Sequence, residues 1–147
     1  MDLTKLVFLL VLVCSIPVFH AYGLHQDASV KLLDAYFGTS TEKMEVGPGD
    51  KNVPFTVEFA NIGTTDIVGI KGKLSVPTYF HSPQGINYPI LADSNTRATT
   101  GSNFHLTFYV DISDGALIKT YPGAVEIDYS RLKSSGVREN SFQFTFT

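Results

Sequence analysis

Val46-Gly-Pro-Gly-Asp-Lys-Asn-Val-Pro-Phe-Thr-Val-Glu-Phe-Ala-Asn-Ile-Gly63 is the stretch that decides the fold of this chain. Pro48 presets φ for a tight turn, and Gly49 tolerates the positive φ that such turns need. After this turn, apolar side chains alternate with polar or small ones until Asn61-Ile62-Gly63 ends the run. An alternation of period two predicts a half-buried β-strand. The stretch therefore predicts part of an antiparallel β-sandwich rather than a catalytic loop.

The same alternation recurs on both sides of this stretch. A first strand is expected at 28–37, where a broken period predicts a β-bulge near Leu32 and Leu33. A short strand is expected near Asn87 to Leu91, within the long connection from Thr78 to Gly101. Regular alternation predicts four further strands, at 68–76, 103–112, 125–130 and 142–147. About seven antiparallel strands without a helix predict an all-β sandwich of Greek-key type.

The inner faces of these strands are expected to share one core. Along 68–76, the period assigns Val68, Ile70 and Leu74 to the inner face and the lysines to the outer one. The predicted core joins seven residues of different strands, namely Phe55, Val57, Phe59, Phe104, Phe108, Ile127 and Phe144.

The amino terminus has the features of a secretory signal peptide. Lys5 precedes a short apolar run, and small residues follow at Ala21 and Gly23. Cleavage is expected after Gly23, or alternatively after Ala21, which gives a signal peptide at 1–23 and one domain at 24–147. The alternative is an uncleaved membrane anchor, but the apolar run is shorter than the roughly 20 residues that a span needs.

Composition restricts the remaining classes. The chain has 147 residues and a formal charge of -3, which fits one domain and gives no electrostatic reason to expect nucleic acid. Its one cysteine, Cys14, lies in the predicted signal peptide. The mature domain is therefore expected to be held together by its core alone, without disulfides.

Several of these motifs resemble a known family. The segments 47–57 and 61–63, with Leu106-Thr-Phe-Tyr-Val-Asp-Ile112 and Thr120-Tyr-Pro-Gly123, are similar to immunoglobulin-like domains of archaeal S-layer-associated and other secreted cell-surface proteins. The same segments resemble the adhesion-related CARDB-like modules of prokaryotes. The resemblance covers roughly 29–147. It implies a single immunoglobulin-like Greek-key β-sandwich and a non-catalytic role in the cell envelope.

Tyr121 follows a turn and precedes a strand, which is the position of a tyrosine corner in such sandwiches. In that arrangement the hydroxyl bonds back to the backbone of the preceding connection. The alternative is a tyrosine at the rim of the sandwich that packs on Pro122.

The sequence indicates no catalytic, cofactor-binding or metal-binding residues, and no enzyme activity is expected. His25, His81 and His105 do not have the spacing of metal ligands. The chain has no Gly-x-Ser-x-Gly elbow. Asp111 and Asp114 flank a turn that could offer oxygen ligands to calcium, but a full loop needs more ligands.

An intramolecular isopeptide bond is a further hypothesis. It requires a lysine on the first strand, an amide on the last strand and a buried carboxylate between them. Lys31, Asn140 and either Glu58 or Glu126 supply these residue types.

Two functional classes remain. The first is a structural or adhesive protein of the cell surface, bound to the S-layer or assembled into a surface filament. Its partners would be other envelope proteins or copies of itself, joined by edge-strand addition with 24–28 or 141–147 as the donated strand. The membrane would be met only through the signal segment. The alternative is a carbohydrate-binding accessory module, in which Tyr79, Phe80 and Tyr88 offer rings to glycans.

Overall fold

The structure, a computed structural model, describes residues 29–147. The predicted signal peptide at 1–23, Cys14, His25 and the predicted donor segment 24–28 lie outside the described residues. Within 29–147 there is no helix, and hence no helical segment of a length and hydropathy that would span a bilayer. The described part consists of β1 (Val30–Thr39), β2 (Glu42–Lys43), β3 (Val53–Asn61), β4 (Ile67–Ser75), β5 (Phe80–His81), β6 (Ile90–Ser94), β7 (Asn103–Ile112), β8 (Tyr121–Arg131) and β9 (Val137–Phe146).

The strands form two antiparallel sheets that pack face to face. The first sheet has the order β2-β1-β3-β7-β5, and the second has the order β6-β4-β8-β9. From β3 to β8, every connection takes the chain from one sheet to the other. The prediction of an all-β protein with antiparallel sheets is therefore confirmed.

The prediction of about seven strands is wrong, because the described residues contain nine. The seven longer ones correspond to the predicted strands. The additional strands, β2 and β5, have two residues each, which is too short for any alternation to be visible in the sequence. The short strand expected near Asn87–Leu91 is β6 and begins three residues later, at Ile90.

Aromatic rings fill the space between the sheets. The ring centroids of Phe55 and Phe146 lie 5.1 Å apart, and those of Phe59 and Phe104 lie 5.2 Å apart. Six of the seven predicted core residues are fully buried. Phe144 differs, since it is only half-buried. It lies on β9, the last strand of its sheet, and no strand within residues 29–147 covers its outer side.

A bulge near the start of β4 reverses one predicted orientation. The register between β4 and β8 shifts between Val68 and Lys71, and Gly69 has a φ of 62°. Because the bulge adds one residue to the strand, the alternation changes face there. Ile67 is consequently buried in the core, whereas Val68, which was assigned to the inner face, is only half-buried.

The tyrosine corner predicted at Tyr121 is present. The Tyr121 hydroxyl donates to the carbonyl oxygen of Leu117 at 2.8 Å and accepts from the Leu117 amide at 2.9 Å. Its ring packs edge-on against Phe80, with centroids 4.9 Å apart. The corner thus fixes the β7–β8 connection to the first residue of β8.

The turn that precedes β3 is hydrogen-bonded to the end of β7. The Gly49 amide donates to the Ile112 carbonyl at 3.2 Å, and the Ile112 amide donates to the Asp50 carbonyl at 2.8 Å. Gly49 has a φ of 91°, which a residue with a side chain rarely adopts. The turn therefore extends the pairing of β3 with β7 beyond the strand itself.

Candidate functional site

Strand β9 is the longer of the two outermost strands of the second sheet, as residues 29–147 form it. It has ten residues, and its neighbour among the described strands is β8. The strand at the opposite edge, β6, has five residues and carries Asp93 on its exposed face. In the first sheet, the outermost strands β2 and β5 have two residues each. Because a short edge strand presents few backbone groups, β9 is the outermost described strand with the most backbone groups along its edge.

The sequence of β9 lacks the usual protection of an edge strand. Its register with β8 is continuous over ten pairs, from Ser130 with Val137 to Tyr121 with Phe146. It contains no proline, and its charged residues, Arg138 and Glu139, both lie near its beginning. From Asn140 onward the strand is uncharged. Natural edges are blunted by charges, prolines or bulges, and this part of β9 has none of them.

The inner face of β9 is only partly covered. Phe146 is 5% exposed, but Phe142 and Phe144 are half-buried. Phe142 lies 5.5 Å from Phe59, and Phe144 stacks at 5.9 Å on Phe55, in both cases between ring centroids. The phenylalanines thus anchor β9 to β3 while part of each ring stays open to solvent at the side of the sandwich.

Strand β1 borders the same side of the sandwich and is protected. Its register with β3 shifts between Leu32 and Asp34, which confirms the predicted bulge. The Asp34 carboxylate accepts from the Ala35 amide and binds the Lys43 ammonium, both at 2.8 Å. The hydrogen bond from Lys43, opposed by partial burial and assisted by the Ala35 amide, lowers the pKa of Asp34. A bulge and a charged pair therefore occupy the edge of β1.

The predicted donor segment 141–147 is already used within the chain. Residues Ser141 to Phe146 belong to β9 and pair with β8 in a continuous register. Donating this segment to a neighbour would require it to leave its own sheet. Strand addition at this place would therefore use β9 as the acceptor and not as the donor.

The long connection from Thr78 to Gly101 separates the three rings predicted to contact glycans. Phe80 is buried in the core, so it cannot form part of a platform and that part of the prediction is wrong. Tyr79 lies against Tyr121, with ring centroids 6.1 Å apart. Tyr88 is 57% exposed and lines an open cleft of about 250 Å³, together with residues that include Ile86 and His81.

The second half of this connection is fixed to the β3–β4 turn. The buried Asn61 side chain donates to the carbonyl oxygens of Thr65 and Ala98, both at 3.0 Å. Asp66 accepts hydrogen bonds from Arg97, and these bonds, followed by that from the Thr100 amide, lower the pKa of Asp66. These contacts hold residues 97–100 against the sandwich.

The carboxylates weighed for calcium have other partners. One Asp111 oxygen accepts from the Asn52 amide at 2.8 Å, and the other lies 3.5 Å from the Lys51 ammonium. Asp114 faces the turn at Gly49. Among residues 29–147, no group of three or more His, Cys, Asp or Glu side chains has an arrangement that could hold a metal ion.

The two described histidines lie apart on different strands. His81 on β5 has its Nδ1 atom 3.2 Å from the Asp111 carbonyl oxygen. His105 is exposed on β7 and pairs in register with Glu58 on β3. Neither side chain belongs to a group of three or more His, Cys, Asp or Glu residues that could hold a metal ion in the described part of the chain.

The residues considered for an isopeptide bond are not brought together. Lys31 is exposed on β1, whereas Asn140 is buried on β9 and donates to the Tyr129 hydroxyl at 3.3 Å. Glu58 accepts from Asn103, and Glu126 is exposed on β8. The lysine, the amide and the carboxylates thus have separate surroundings.

The described residues form a sandwich of two antiparallel sheets in which β9 is a long outermost strand. No protein-family model matches the chain, and no curated protein matches it. The sequence resemblance and the geometry of the edges are therefore what a functional proposal can use.

Proposed function

We propose that this protein is a non-catalytic, exported protein of the cell envelope that works through surface contacts at the β9 edge. In this proposal it is a structural or adhesive module, associated with an S-layer or assembled into a surface filament. The observation that carries the proposal is the uncharged, bulge-free edge of β9 with its half-buried phenylalanines. An edge of this kind is a template for strand addition.

The strand order supports assigning the sandwich to the immunoglobulin-like class with Greek-key connections. The longer strands of one sheet follow the order β1-β3-β7, and the other sheet follows β6-β4-β8-β9. This resembles the division of strands in immunoglobulin-like sandwiches, and the corner at Tyr121 lies where such domains have one. The sequence resemblance implies the same class.

The uses of the charged groups support a non-catalytic role. Asp34, Asp66 and Asp111 each accept hydrogen bonds from the backbone or from a basic side chain. These bonds hold a bulge, a connection and a turn in place. For Asp34 and Asp66 these bonds lower the pKa, so both carboxylates stay charged near neutral pH and are poorly suited to exchange protons there.

The test is cosedimentation of the purified exported protein with isolated cell envelopes. Adding charge to outward positions of β9 with Ser141→Lys plus Gln143→Lys should weaken envelope binding at least tenfold, because a charged edge resists strand addition. A matched control places the same two lysines in the exposed β8–β9 loop, with Ser134→Lys plus Ser135→Lys. Equal binding of both variants, or a strict monomer that binds no envelope, would contradict the proposal.

Negative-stain microscopy of the same preparations separates the two forms of the proposal. Regular filaments would support assembly, whereas decoration of envelope fragments would support association with an S-layer. The control variant should behave as the unmodified protein in both assays, since its added charges lie outside β9.

A carbohydrate-binding accessory module is the second candidate, and the exposed Tyr88 ring beside the cleft favours it. Such rings stack on the apolar faces of sugars. A glycan array tests this candidate with Tyr88→Ala. Tyr109→Ala is the control, because Tyr109 is similarly exposed but lies on β7, outside the residues that line the cleft. Glycan binding that Tyr88→Ala abolishes and Tyr109→Ala preserves would establish it.

A further inference from the structure

We propose that two copies of this chain associate head to head, and that the loop tip of each copy, Leu117-Ile118, enters the cleft beside Tyr88 of the other. The tip and the cleft both lie at one end of the sandwich. This contact does not involve the edge of β9. It therefore goes beyond the function proposed above and names a second surface together with its partner.

The tip and the cleft share the end of the sandwich at which β4 and β7 finish and β6 and β8 begin. The tip belongs to the β7–β8 connection, and the cleft lies between the end of β4 and the start of β6. Phe80 lines both the cleft and the small hollow beside the tip, so the two features are neighbours. One end face can therefore carry both halves of a self-complementary contact.

The tip presents two aliphatic side chains to water from a fixed backbone. Leu117 is 64% exposed and Ile118 is 91% exposed. The Tyr121 hydroxyl bonds to both the amide and the carbonyl of Leu117, which holds the loop in place. Adjacent exposed apolar side chains on a monomer commonly mark a binding surface. Because the backbone of the loop is already held, covering the tip costs little conformational entropy.

The cleft provides a concave apolar surface for such a tip. It has a volume of about 250 Å³, and its lining includes the exposed side chains of Ile86 and Tyr88. Among the described residues that line it, none is Asp, Glu, Lys or Arg. A charged group would lose its hydration there without gaining a partner of opposite charge. The cleft therefore favours an uncharged, apolar occupant.

A second copy of the chain fits both surfaces at once. When the Ile118 side chain of one copy enters the cleft of the other, the two-fold operation places the second tip in the first cleft. The contact then removes Ile118, Ile86 and Tyr88 of each copy from water. A lipid bilayer would receive the protruding tip but would leave the recess beside it unfilled. The pairing of a convex and a concave apolar surface on one end face thus favours a second copy as the partner.

The resulting dimer is closed and elongated. Val30, at the start of β1, pairs with Asn61 at the opposite end of the sandwich from the tip. The two copies therefore have the starts of β1 at the far ends of the dimer, and their β9 strands lie along its sides. Small-angle X-ray scattering should give the dimer a maximum dimension nearly twice that of the monomer.

The test uses sedimentation equilibrium of the purified exported protein at concentrations up to about 1 mM, since small interfaces bind weakly. Ile118→Asp places a carboxylate in each cleft, and Tyr88→Lys places an ammonium there. Both contacts of each variant dimer are damaged, so we expect the dissociation constant to rise at least about a hundredfold. Ile62→Asp is the control, because Ile62 is 57% exposed but lies in the β3–β4 turn at the opposite end. It should dimerise as the unmodified protein does.

A mixture of Ile118→Asp and Tyr88→Lys tests whether the tip meets the cleft. In the mixed dimer, the new carboxylate of one copy meets the new ammonium of the other, and the second tip and cleft are unmodified. We expect the mixed dimer to form with a dissociation constant within about tenfold of that of the unmodified protein. Far-ultraviolet circular dichroism checks that each variant is folded.

Four results would overturn the inference. They are a monomer at all concentrations for the unmodified protein, an equal loss of association in Ile62→Asp and Ile118→Asp, and a mixture that associates no better than its separate components. The fourth is binding of the monomer to phosphatidylcholine vesicles that Ile118→Asp abolishes, which would assign the tip to a lipid surface. Envelope binding by a monomer would overturn this inference and leave the proposed function standing, whereas a head-to-head dimer that binds no envelope would do the reverse.

Discussion

Strands β1 and β9 border the same side of the sandwich, yet they differ in the bulges and charges that control strand addition. The β1 edge has a bulge at Leu33, a carboxylate at Asp34 and the Lys43 ammonium bound to that carboxylate. The Lys43 ammonium also lies 4.4 Å from the centre of the Tyr36 ring. The β9 edge has a continuous register and is uncharged from Asn140 to its end.

The difference shows that an outermost strand of this sandwich can carry a bulge and a charged pair. The same chain protects β1 with means that take only three or four residues. Equivalent substitutions on the outward positions of β9 would not disturb the core, because Ser141, Gln143 and Thr145 are exposed. This contrast between β1 and β9 is the structural basis of the proposal that the molecule makes contacts through β9.

The largest expected effect comes from detaching β9 at its buried end. Phe146 packs 5.1 Å from Phe55 and 5.8 Å from Phe37, in each case between ring centroids. We expect Phe146→Ala to lower the free energy of unfolding by about 3–5 kcal/mol, since it removes a fully buried ring. Urea denaturation measures the loss.

Phe142→Ala is the matched control for that experiment, since Phe142 is a half-buried ring on the same face of β9. Its loss should be about half as large or less, because less surface is returned to water. Equal losses for the two variants would show that Phe142 contributes as much to stability as Phe146, which contradicts the difference in burial between the two rings.

A smaller effect is expected from filling the space beneath Phe144. A Cβ atom at Gly123 would lie 2.5 Å from the Phe144 ring, so the ring must move outward in Gly123→Ala. We expect a loss of about 1–3 kcal/mol, the range for overpacking. The measurement is the shift of the urea midpoint. Gly47→Ala is the control, because a Cβ at Gly47 has no neighbour within 4 Å, and it should leave the midpoint nearly unchanged.

Removing the protection of β1 should change association more than stability. Asp34→Thr plus Lys43→Thr leaves a neutral edge beside the bulge, and we expect stronger light scattering on warming. The control is Lys73→Thr plus Glu126→Thr, which removes an exposed ion pair of 3.6 Å from two adjacent strands inside a sheet. If both variants scatter equally, the loss of charge rather than the opened edge is responsible.

The smallest expected effect concerns how the contribution of the Asp34–Lys43 ion pair to stability depends on pH. The Lys43 hydrogen bond lowers the pKa of Asp34 below its usual value, so its contribution to stability is present above about pH 4 and is lost as pH falls through the lowered pKa. We expect Asp34→Asn to lower Tm by at most about 2 °C at pH 7, since exposed ion pairs contribute little.

As pH falls from about 4 to about 2, the Tm difference between Asp34→Asn and the unmodified protein should shrink, because the carboxyl group becomes protonated. Thermal melts at both pH values measure this. A Tm difference that persists unchanged at low pH would show that Asp34 acts through its shape and not through its charge.

The sequence was sufficient to predict the long strands but not the short ones. Alternation in Asn103–Ile112 extends over ten residues and predicted β7 with its observed bounds. β2 and β5 form where the chain passes beside a longer strand, and two residues carry no periodic signal. The bulge at Gly69 reversed the orientation of Val68 for a related reason, because one added residue in a strand leaves no mark on composition.

The position of β9 at the edge of its sheet could not be predicted from the sequence, for a different reason. Alternation shows which face of a strand is buried, but it does not show which strand lies beside it. Phe144 therefore had the same pattern in the sequence as Phe108, although Phe108 is fully buried between neighbouring strands and Phe144 lies at an edge. Only the strand order separates them.

The pairing of β9 with β8 also sets how fast some of its amide protons exchange with water. In an antiparallel strand, every second amide points toward a given partner strand and bonds to it. Among residues 29–147, β8 is the strand paired with β9, whereas β3 lies between β1 and β7. The β9 amides that point toward β8 should thus exchange slowly, and the β3 amides should be slow throughout.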